Sequence, residues 1–357
     1  MQIAGVAKLK LLKTFKIVYT EALLTNVEGC FTMQNFTAFI SGVGKAVPER
    51  RLTNADLEKM VETSDEWISK RVGIKERRIV AEGEWCSHLG ARAAKEALAM
   101  AGLAADQLDF IIVSTVTPDT VYPSVACLIQ AALGATKAGV FDVSAACTGF
   151  IYASGVAWSL IRSGMAKHVL VVSSEVLSST VDWTDRDTCI LFGDGAGAAV
   201  YSVGDNAAVG VQAVELGGDG AFADLLKLPN SGCRPYPEYA GRFVKMQGNE
   251  VFKHAVRNME NCAVAVLNKI NATVDDVTLF IPHQANTRII DAIASRLNVP
   301  AEKVFVNIEK YGNTSSASIP IALCEAVEQG RLKTGDLLIL DAFGAGLTWG
   351  AMAIRWK

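Results

Sequence analysis

One pattern of alternating secondary structure occurs in both halves of the chain and constrains its fold more than any other feature. In each half an apolar strand pattern runs through a turn into an apolar helical pattern, and a glycine then leads to a second strand. The first copy contains G-V-F-D-V-S-A-A-C-T-G and V-L-V-V, and the second contains K-V-F-V-N-I-E-K-Y-G-N-T-S and L-L-I-L. In both copies 17 residues separate the end of the turn from the glycine, from Cys147 to Gly164 and from Asn313 to Gly330. This alternation predicts an α/β fold with mostly parallel sheets and two pseudo-symmetric halves.

The duplication also predicts which polar side chains meet. The buried strand pattern D-F-I-I-V-S-T in the first half is matched by D-V-T-L-F-I-P-H in the second, so His283 falls at the end of a strand. Parallel sheets in α/β folds gather ligands at the carboxyl ends of their strands. We therefore expect Cys147, His283 and Asn313 to converge where the two sheets meet.

Cys147 carries the most nucleophilic side chain of this set. The helical pattern from Phe150 to Ile161 places its thiol on the first turn of a helix. Unpaired backbone N–H groups and the helix dipole favour the thiolate there, so we expect the pKa to fall from about 8.5 toward the neutral range. Small neighbours, among them Ala146 and Gly149, let a second molecule approach the sulfur. The alternative is a buried cysteine that behaves only as a small hydrophobic residue.

Composition narrows the class of protein. A chain of 357 residues, half of them apolar, is long enough for one large duplicated core. The formal net charge of -3 makes neither nucleic acid nor an anionic membrane an expected main partner, and no apolar run reaches the roughly 20 residues that cross a bilayer. Eight cysteines without a C-x-x-C pair indicate reduced thiols and a cytoplasmic protein, and four histidines without zinc-ligand spacing argue against a metal site.

The chain is expected to divide into three parts. Residues 1–33 form a non-core extension, which an upstream start ahead of Met33 would explain, with a short amphipathic arm as the alternative. This segment resembles neither a transit peptide nor a secretory signal, because it lacks arginine and an A-x-A cleavage site. Residues 34–206 are predicted to form the half that carries the nucleophilic thiol, and residues 207–357 the half that carries His283 and Asn313.

Four segments resemble one known family. D-V-S-A-A-C-T-G-F, I-P-H-Q-A-N-T-R-I and Y-G-N-T-S-S-A-S-I-P are similar to the three active-site motifs of the β-ketoacyl-acyl carrier protein synthase III family. D-A-F-G-A-G-L-T-W-G is similar to the glycine turn near the family's C-terminus. The resemblance extends from about Asn35 to Lys357. It implies a thiolase-like fold, in which two pseudo-symmetric βαβ-type halves give a layered αβαβα core.

The resemblance implies the initiating condensation of type II fatty acid biosynthesis. Cys147 would take a short acyl group such as acetyl from acyl-CoA, and decarboxylative Claisen condensation with malonyl-acyl carrier protein would follow. His283 and Asn313 would donate hydrogen bonds to the oxygen that becomes negative on decarboxylation. The backbone N–H groups of Cys147 and Ala345 would form a second oxyanion site. The family usually has glycine in place of Ala345, so a turn that demands positive φ would strain the alanine.

Residues for CoA binding follow from the resemblance alone, and no cofactor or metal beyond the CoA thioester substrate is implied. Trp67 and Arg186 match the pair that sandwiches the CoA adenine, and Arg71 matches a CoA phosphate contact. Asn249 and Phe252 resemble residues of the tunnel that leads to the cysteine. Each of these tryptophan and arginine side chains, taken alone, could equally be a core ring or a solvated charge.

The resemblance also implies protein partners. Tyr122 matches a residue that closes the acyl pocket of the partner subunit in the family's homodimer, and its bulky ring favours a short primer. Arg288 and Arg296, eight residues apart on one helix face, could form with Lys253 a basic patch for the acidic carrier protein. A solvated helix face is the alternative for Arg296 and Lys253.

Three other functions remain open. A related condensing enzyme or acyltransferase of secondary metabolism can keep the same three side chains. A cysteine hydrolase would pair the thiol with the imidazole to activate water, and an inactive scaffold would have no use for either. Two other thiolase-fold classes fit less well, because a thiolase has a second cysteine in the terminal glycine turn and an elongating synthase has histidine in place of Asn313.

Overall fold

The computed structural model of the chain describes residues 36–229 and 243–357. The predicted extension at residues 1–33 and two of the eight cysteines, Cys30 and Cys233, lie outside the described residues. The other six cysteines are free thiols.

Strands and helices alternate along the described chain. In chain order the strands are β1 (Thr37–Ala46), β2 (Arg51–Thr53), β3 (Glu76–Arg78), β4 (Phe110–Ser114), β5 (Gly139–Val143), β6 (His168–Val176), β7 (Asp194–Gly204), β8 (Gly210–Gly218), β9 (Leu226–Lys227), β10 (Lys245–Met246), β11 (Leu279–Pro282), β12 (Leu337–Gly344) and β13 (Thr348–Arg355). The α-helices are α1 (Asn54–Leu57), α2 (Asp65–Val72), α3 (Cys86–Ala101), α4 (Val125–Leu133), α5 (Gly149–Arg162), α6 (Gly248–Lys269), α7 (Thr287–Leu297), α8 (Ile308–Tyr311) and α9 (Ser318–Glu328).

Two sheets organise these elements, and both are mixed. The first has the strand order β1-β7-β6-β4-β5 and the second the order β11-β12-β13-β8. Parallel pairing joins β4 to β5 and β6, and β11 to β12, whereas the other neighbours in the two sheets are antiparallel. The prediction of mostly parallel sheets was therefore wrong. One reason is the hairpin between β12 and β13, whose three-residue turn is too short for the crossover that parallel neighbours require.

The helices and sheets stack in five alternating layers. Helices α5 and α9 lie between the sheets, while α3 and α4 cover the outer face of the first sheet and α6 and α7 that of the second. The layered αβαβα core predicted from the sequence is thus present. The strands of the first sheet lie within residues 37–204 and those of the second within 210–355, and the division into halves at residues 206 and 207 stays a prediction.

Local sequence explains why the layers form. In β4, Ile111 packs into the outer core and Ile112 into the core between the sheets, as expected for a strand with both faces buried. Thr53 caps α1, as predicted, and accepts a hydrogen bond from the backbone N–H of Asp56. That helix ends at Leu57 and is shorter than its apolar pattern predicts.

Two backbone elbows introduce the central helices and reveal the internal symmetry. The thiol elbow (Ala146–Thr148) is a 3-10 turn before α5, and the serine elbow (Ser315–Ala317) is a 3-10 turn before α9. Their first residues, Ala146 and Ser315, have positive φ angles of 47° and 50°. The structural counterpart of Cys147 is therefore Ser316 and not Asn313. The equal spacing of 17 residues matched Cys147 with Asn313 because it assumed helices of equal length, whereas α9 has 11 residues and α5 has 14.

A further strand expected in the second half is reduced to one bridge. The segment K-V-F-V-N-I contributes only the isolated pairing of Val304 with Phe280. Among the described residues, no helix could span a membrane, and no group of histidine, cysteine, aspartate and glutamate side chains is suited to hold a metal ion.

Candidate active site

One cavity of about 570 Å³ lies where the two halves meet. Cys147, His283 and Asn313 all line it, together with Phe343 and Gly344 from the end of β12. The three side chains come from three separate segments, which follow β5, β11 and α8. The convergence expected from the sequence is therefore present in the structure.

The thiol elbow presents Cys147 to this cavity at the start of α5. The residue is half-buried, but removal of the sulfur from water raises the pKa of its thiol to about 12. A hydrogen bond with Ser315 lowers this pKa, and the charge of Glu175 raises it. The expected fall of the pKa toward neutrality is thus not found, because burial outweighs the helix end.

The glycine turn between β12 and β13 packs against the thiol elbow. A side chain at Gly344 would lie 2.7 Å from the backbone nitrogen of Cys147, so only glycine fits there. The Thr348 hydroxyl lies 2.7 Å from that of Thr148 and 2.9 Å from the carbonyl oxygen of Ala345, which ties the turn to the elbow. The positive φ in this turn belongs to Gly346 and not to Ala345, so alanine is accommodated without the strain that we anticipated.

His283 follows β11 and is only 2% exposed. Its backbone N–H donates to the carbonyl oxygen of Asp341 at 2.8 Å, which continues the pairing of β11 with β12. Its ring nitrogen Nδ1 lies 2.7 Å from the hydroxyl oxygen of Ser318. Burial lowers the pKa of the imidazole to about 3, so the ring is neutral at physiological pH.

Asn313 is fixed through both its backbone and its side chain. The backbone N–H donates to Leu191 at 2.8 Å, and the carbonyl oxygen accepts from Gly193 at 3.0 Å. The side-chain oxygen Oδ1 accepts from the backbone N–H of Ser315 at 2.8 Å. Because the oxygen is engaged, the amide NH₂ group is the part of the side chain left for a ligand.

A buried carboxylate lies behind the two elbows. Glu175, at the end of β6, is fully buried, and its Oε1 accepts from the Ser316 hydroxyl at 2.7 Å. Its Oε2 accepts from the backbone N–H of Val116 at 3.0 Å and from the Thr117 hydroxyl at 2.9 Å. Burial raises the pKa of this carboxyl, and the hydrogen bonds oppose that rise. Glu175 therefore connects the first half of the chain to the serine elbow of the second.

The residues predicted to bind CoA lie in two groups. Arg71, Asn249 and Phe252 line the cavity, whereas Trp67 and Arg186 do not. The Trp67 ring has the guanidinium carbon of Arg186 at 4.6 Å and that of Arg71 at 5.0 Å from its centroid. The tryptophan and both arginines therefore form one stacked cluster.

The residues predicted to dock the carrier protein are similarly divided. Arg288 and Lys253 both line the cavity, and the Arg288 guanidinium lies 5.7 Å from the Phe252 ring centroid. Lys253 is exposed and pairs with Glu250 at 2.7 Å. Arg296 lies outside the cavity lining and pairs with Glu260 at 2.5 Å. Two members of the predicted basic patch, Lys253 and Arg296, thus form ion pairs with glutamates, and Arg296 also lies away from the cavity.

Tyr122 lies apart from the cavity. Its side chain is 85% exposed in the loop before α4, next to the 76% exposed Val121. It is not among the described residues that line the cavity of Cys147.

Several residues that hold the site together were missed by the sequence reasoning. They are mostly small polar side chains that contact the elbows or the ring of His283, namely Thr148, Glu175, Ser316, Ser318 and Thr348. For Ser316 and Ser318 the only sequence signal was the density of serine and threonine in Y-G-N-T-S-S-A-S, and the other three residues lie outside that segment. Such a signal does not tell which hydroxyl meets which partner.

Comparison with known proteins agrees with the motifs. Two family profiles match, described as 3-oxoacyl-[acyl-carrier-protein (ACP)] synthase III over residues 141–221 and as its C-terminal part over residues 267–356. The beta-ketoacyl-[acyl-carrier-protein] synthase III of Roseiflexus castenholzii is 52% identical over 330 residues, which cover 91% of this chain and 99% of the relative. Relatives of this kind match almost over their whole length.

Solved structures support the same assignment. The crystal structure of 3-oxoacyl-[acyl-carrier-protein] synthase III from Aquifex aeolicus VF5 is 51% identical, has a TM-score of 0.85, and covers 89% of this chain and 100% of its own. A priming β-ketosynthase from the R1128 polyketide pathway has a TM-score of 0.84 but 37% identity, with 90% and 96% covered. The predicted thiolase-like fold is confirmed, and this chain belongs to the 3-oxoacyl-[acyl-carrier-protein] synthase III family.

Proposed function

We propose that this chain is the initiating condensing enzyme of type II fatty acid biosynthesis, an acyltransferase that joins a short acyl group to malonyl-acyl carrier protein. The observation that carries the proposal is that Cys147, His283 and Asn313 line one cavity at the junction of the halves. A hydrolase would need the imidazole to accept a proton from water. Burial lowers the pKa of the imidazole and so weakens it as a proton acceptor, which favours the hydrogen-bond donor role that condensation requires.

In the first step the Cys147 sulfur attacks the thioester carbon of acyl-CoA. A bond forms between sulfur and carbonyl carbon, the bond to the CoA sulfur breaks, and the thiol proton leaves with CoA as its free thiol. The carbonyl oxygen becomes negative on the way, and the backbone N–H groups of Cys147 and Ala345 would stabilise it. The close contact of Gly344 with Cys147 supports this role, because it brings the glycine turn to the elbow.

In the second step malonyl-acyl carrier protein loses CO2. The electron pair of the broken bond moves onto the thioester, whose oxygen becomes negative, and N–H groups of His283 and Asn313 would stabilise it. The new carbanion attacks the acyl-cysteine, a carbon-carbon bond forms, and the Cys147 thiolate leaves and takes a proton from solvent. The products are 3-oxoacyl-acyl carrier protein and the free enzyme.

The arrangement of the cavity suggests how the thioester substrates would bind. Arg71 would hold a CoA phosphate, and Asn249 and Phe252 would contact the chain that leads to the cysteine. The adenine would stack between Trp67 and Arg186. The acidic carrier protein would meet Arg288 and Lys253 beside the cavity, with Arg296 farther out.

We further propose a cytoplasmic homodimer that needs no metal or cofactor. The exposed ring of Tyr122 would enter the acyl pocket of the partner subunit and shorten it. Support comes from two features of one edge, namely the apolar loop at Val121 and Tyr122 and the free edge of β5 in the described sheet. Light scattering of the wild type and of Tyr122→Ala tests this assembly.

The decisive experiment supplies a panel of acyl-CoAs together with malonyl-acyl carrier protein. Intact-mass spectrometry should show a short acyl group on Cys147, and extension should give a 3-oxoacyl carrier product. Release of free acid would instead indicate a hydrolase, and the absence of any acyl adduct would indicate a scaffold. Acylation and extension confined to primers of secondary metabolism would favour the related condensing class.

A further inference from the structure

The contact between the Ser318 hydroxyl and the His283 ring determines which ring nitrogen can donate a hydrogen bond. A neutral imidazole carries one proton, so one ring nitrogen donates and the other accepts. The proposed role needs a donor that faces the substrate. Nδ1 faces Ser318 at 2.7 Å in a buried contact, which leaves Nε2 as the nitrogen available to the cavity. The position of the single proton therefore decides whether the ring can stabilise a negative oxygen.

Ser318 is the first residue of α9, and its own partners limit the direction of its hydrogen bond. The backbone N–H of Gln284 donates to the Ser318 oxygen at 3.3 Å. The Ser318 oxygen thus already serves as an acceptor on that side. Within residues 36–229 and 243–357, Nδ1 of His283 is the one recorded partner that can accept the Ser318 hydroxyl proton.

The backbone of Gln284 is itself held in place. Its side-chain NH₂ group donates to the carbonyl oxygens of Pro282 and Phe305 at 2.8 and 3.1 Å. Its side-chain oxygen accepts from the backbone N–H of Asn307 at 3.0 Å. With these bonds made, the Gln284 N–H keeps pointing at Ser318 and occupies one lone pair of its oxygen, and donation to Nδ1 gives the hydroxyl proton the acceptor that it would otherwise lack.

We propose that Ser318 is a positioning residue that donates its hydroxyl proton to Nδ1 of His283 and thereby keeps the ring proton on Nε2. This inference rests on the proposed function for its catalytic meaning, but the tautomer can be measured independently. Protonation does not compete with the tautomer, because the burial that lowers the imidazole pKa keeps the ring neutral at pH 7. The hydrogen bond at one ring nitrogen then selects the proton position at the other.

Nitrogen NMR of the full chain labelled with ¹⁵N-histidine tests this directly. The chain has four histidines, so comparison with the spectrum of His283→Gln assigns the ring of interest. We expect a neutral ring with its proton on Nε2 at pH 7. A proton on Nδ1, or a mixture of the two tautomers in the wild type, overturns the inference whatever the behaviour of any variant.

Variants then connect the tautomer to the reaction. Ser318→Ala should give mixed tautomers and slow condensation by about 10- to 100-fold, the rate equivalent of one buried hydrogen bond, while acylation of Cys147 keeps its rate. Ser318→Thr keeps a hydroxyl and should restore the Nε2 proton. An unchanged tautomer in Ser318→Ala would contradict the proposal.

Ser173→Ala is the matched control. Ser173 is fully buried in β6, and its hydroxyl has no hydrogen-bond partner among the described residues. Its replacement should leave the tautomer and both rates unchanged. If no acyl-CoA loads Cys147 in the wild type, the proposed function fails, yet the NMR result still decides the inference about Ser318.

Discussion

The thiol elbow and the serine elbow have the same backbone and different uses. Each starts with a residue at positive φ, turns once as a 3-10 helix, and continues into a helix between the sheets. In the first elbow the second residue is Cys147, which lines the cavity. In the second it is Ser316, which is 1% exposed and donates to Glu175.

The difference shows how duplication can divide a task. A backbone that presents the Cys147 side chain to the cavity in the first half holds the two halves together through Ser316 in the second. The serine elbow still contributes to the site through its first residue, because the Ser315 N–H orients the amide of Asn313. The proposed chemistry and the support therefore lie on equivalent positions of one repeated element.

The largest effect is expected at the thiol elbow itself. Cys147→Ala removes the one thiol among the described residues that line the cavity and should abolish both acyl-enzyme formation and condensation, measured by intact mass and by product release. Cys127→Ala changes a half-buried cysteine outside the cavity lining and should retain both. Acyl transfer to another residue in Cys147→Ala would break the assignment of chemistry to this elbow.

The next largest effect is expected beside the serine elbow. His283→Ala and Asn313→Ala should each slow malonyl decarboxylation by about 100- to 1,000-fold, because each removes one of the two oxyanion donors that we propose. Acylation of Cys147 should continue in both variants. His88→Ala, on an exposed helix start, is the control. Equal loss of acylation in all three site variants would show that the two elbows do not divide the work.

A smaller effect should follow when the support function is removed. Ser316→Ala leaves Glu175 without one of its buried donors and should lower the free energy of unfolding by about 1 to 3 kcal/mol. Ser173→Ala, which breaks no recorded hydrogen bond, serves as the comparison in urea unfolding. Equal stability of the two variants would mean that the Ser316 contact contributes nothing to the junction.

The His283 imidazole and the Cys147 thiol should also make the stability of the fold depend on pH in opposite directions. The imidazole pKa falls from 6.5 to about 3 on folding, so the unfolded chain binds the proton more tightly and stability falls as pH drops below 6.5. The slope from this group is about 1.4 kcal/mol per pH unit. His283→Gln should lose that slope between pH 6.5 and 4.5 in urea unfolding, and an unchanged slope would contradict the burial of the ring.

Above pH 9 the Cys147 thiol makes stability fall with rising pH, which is opposite to the effect of the imidazole at acid pH. The pKa of the Cys147 thiol rises from 9.0 to about 12 on folding, so the folded protein holds the proton longer and stability falls as pH rises above 9. Several other buried cysteines behave alike, so Cys147→Ala should reduce this loss only in part.

The convergence of Cys147, His283 and Asn313 could be predicted from local patterns and from order along the chain, whereas the layered core was predicted from the resemblance of four segments to a known family. The register of the repeat was not predictable from spacing, since three residues are missing from α9 relative to α5. The pKa of the thiol was misjudged because a helix end is a local feature and burial is a tertiary one. The contacts of Ser318 and Glu175 join segments 35 and 141 residues apart, and no local pattern encodes such pairs.

The stacked cluster of Trp67, Arg71 and Arg186 has a consequence for affinity. A flat base that enters between Trp67 and Arg186 must first separate two groups that already attract each other at 4.6 Å. The binding free energy of the base is then the difference between its own stacking on Trp67 and the Trp67–Arg186 contact that it replaces. Removal of the Arg186 side chain would abolish its contact with Trp67 in the free protein as well as its contact with the base. The resulting change in affinity would therefore be smaller than the contribution of Arg186 to holding a bound base.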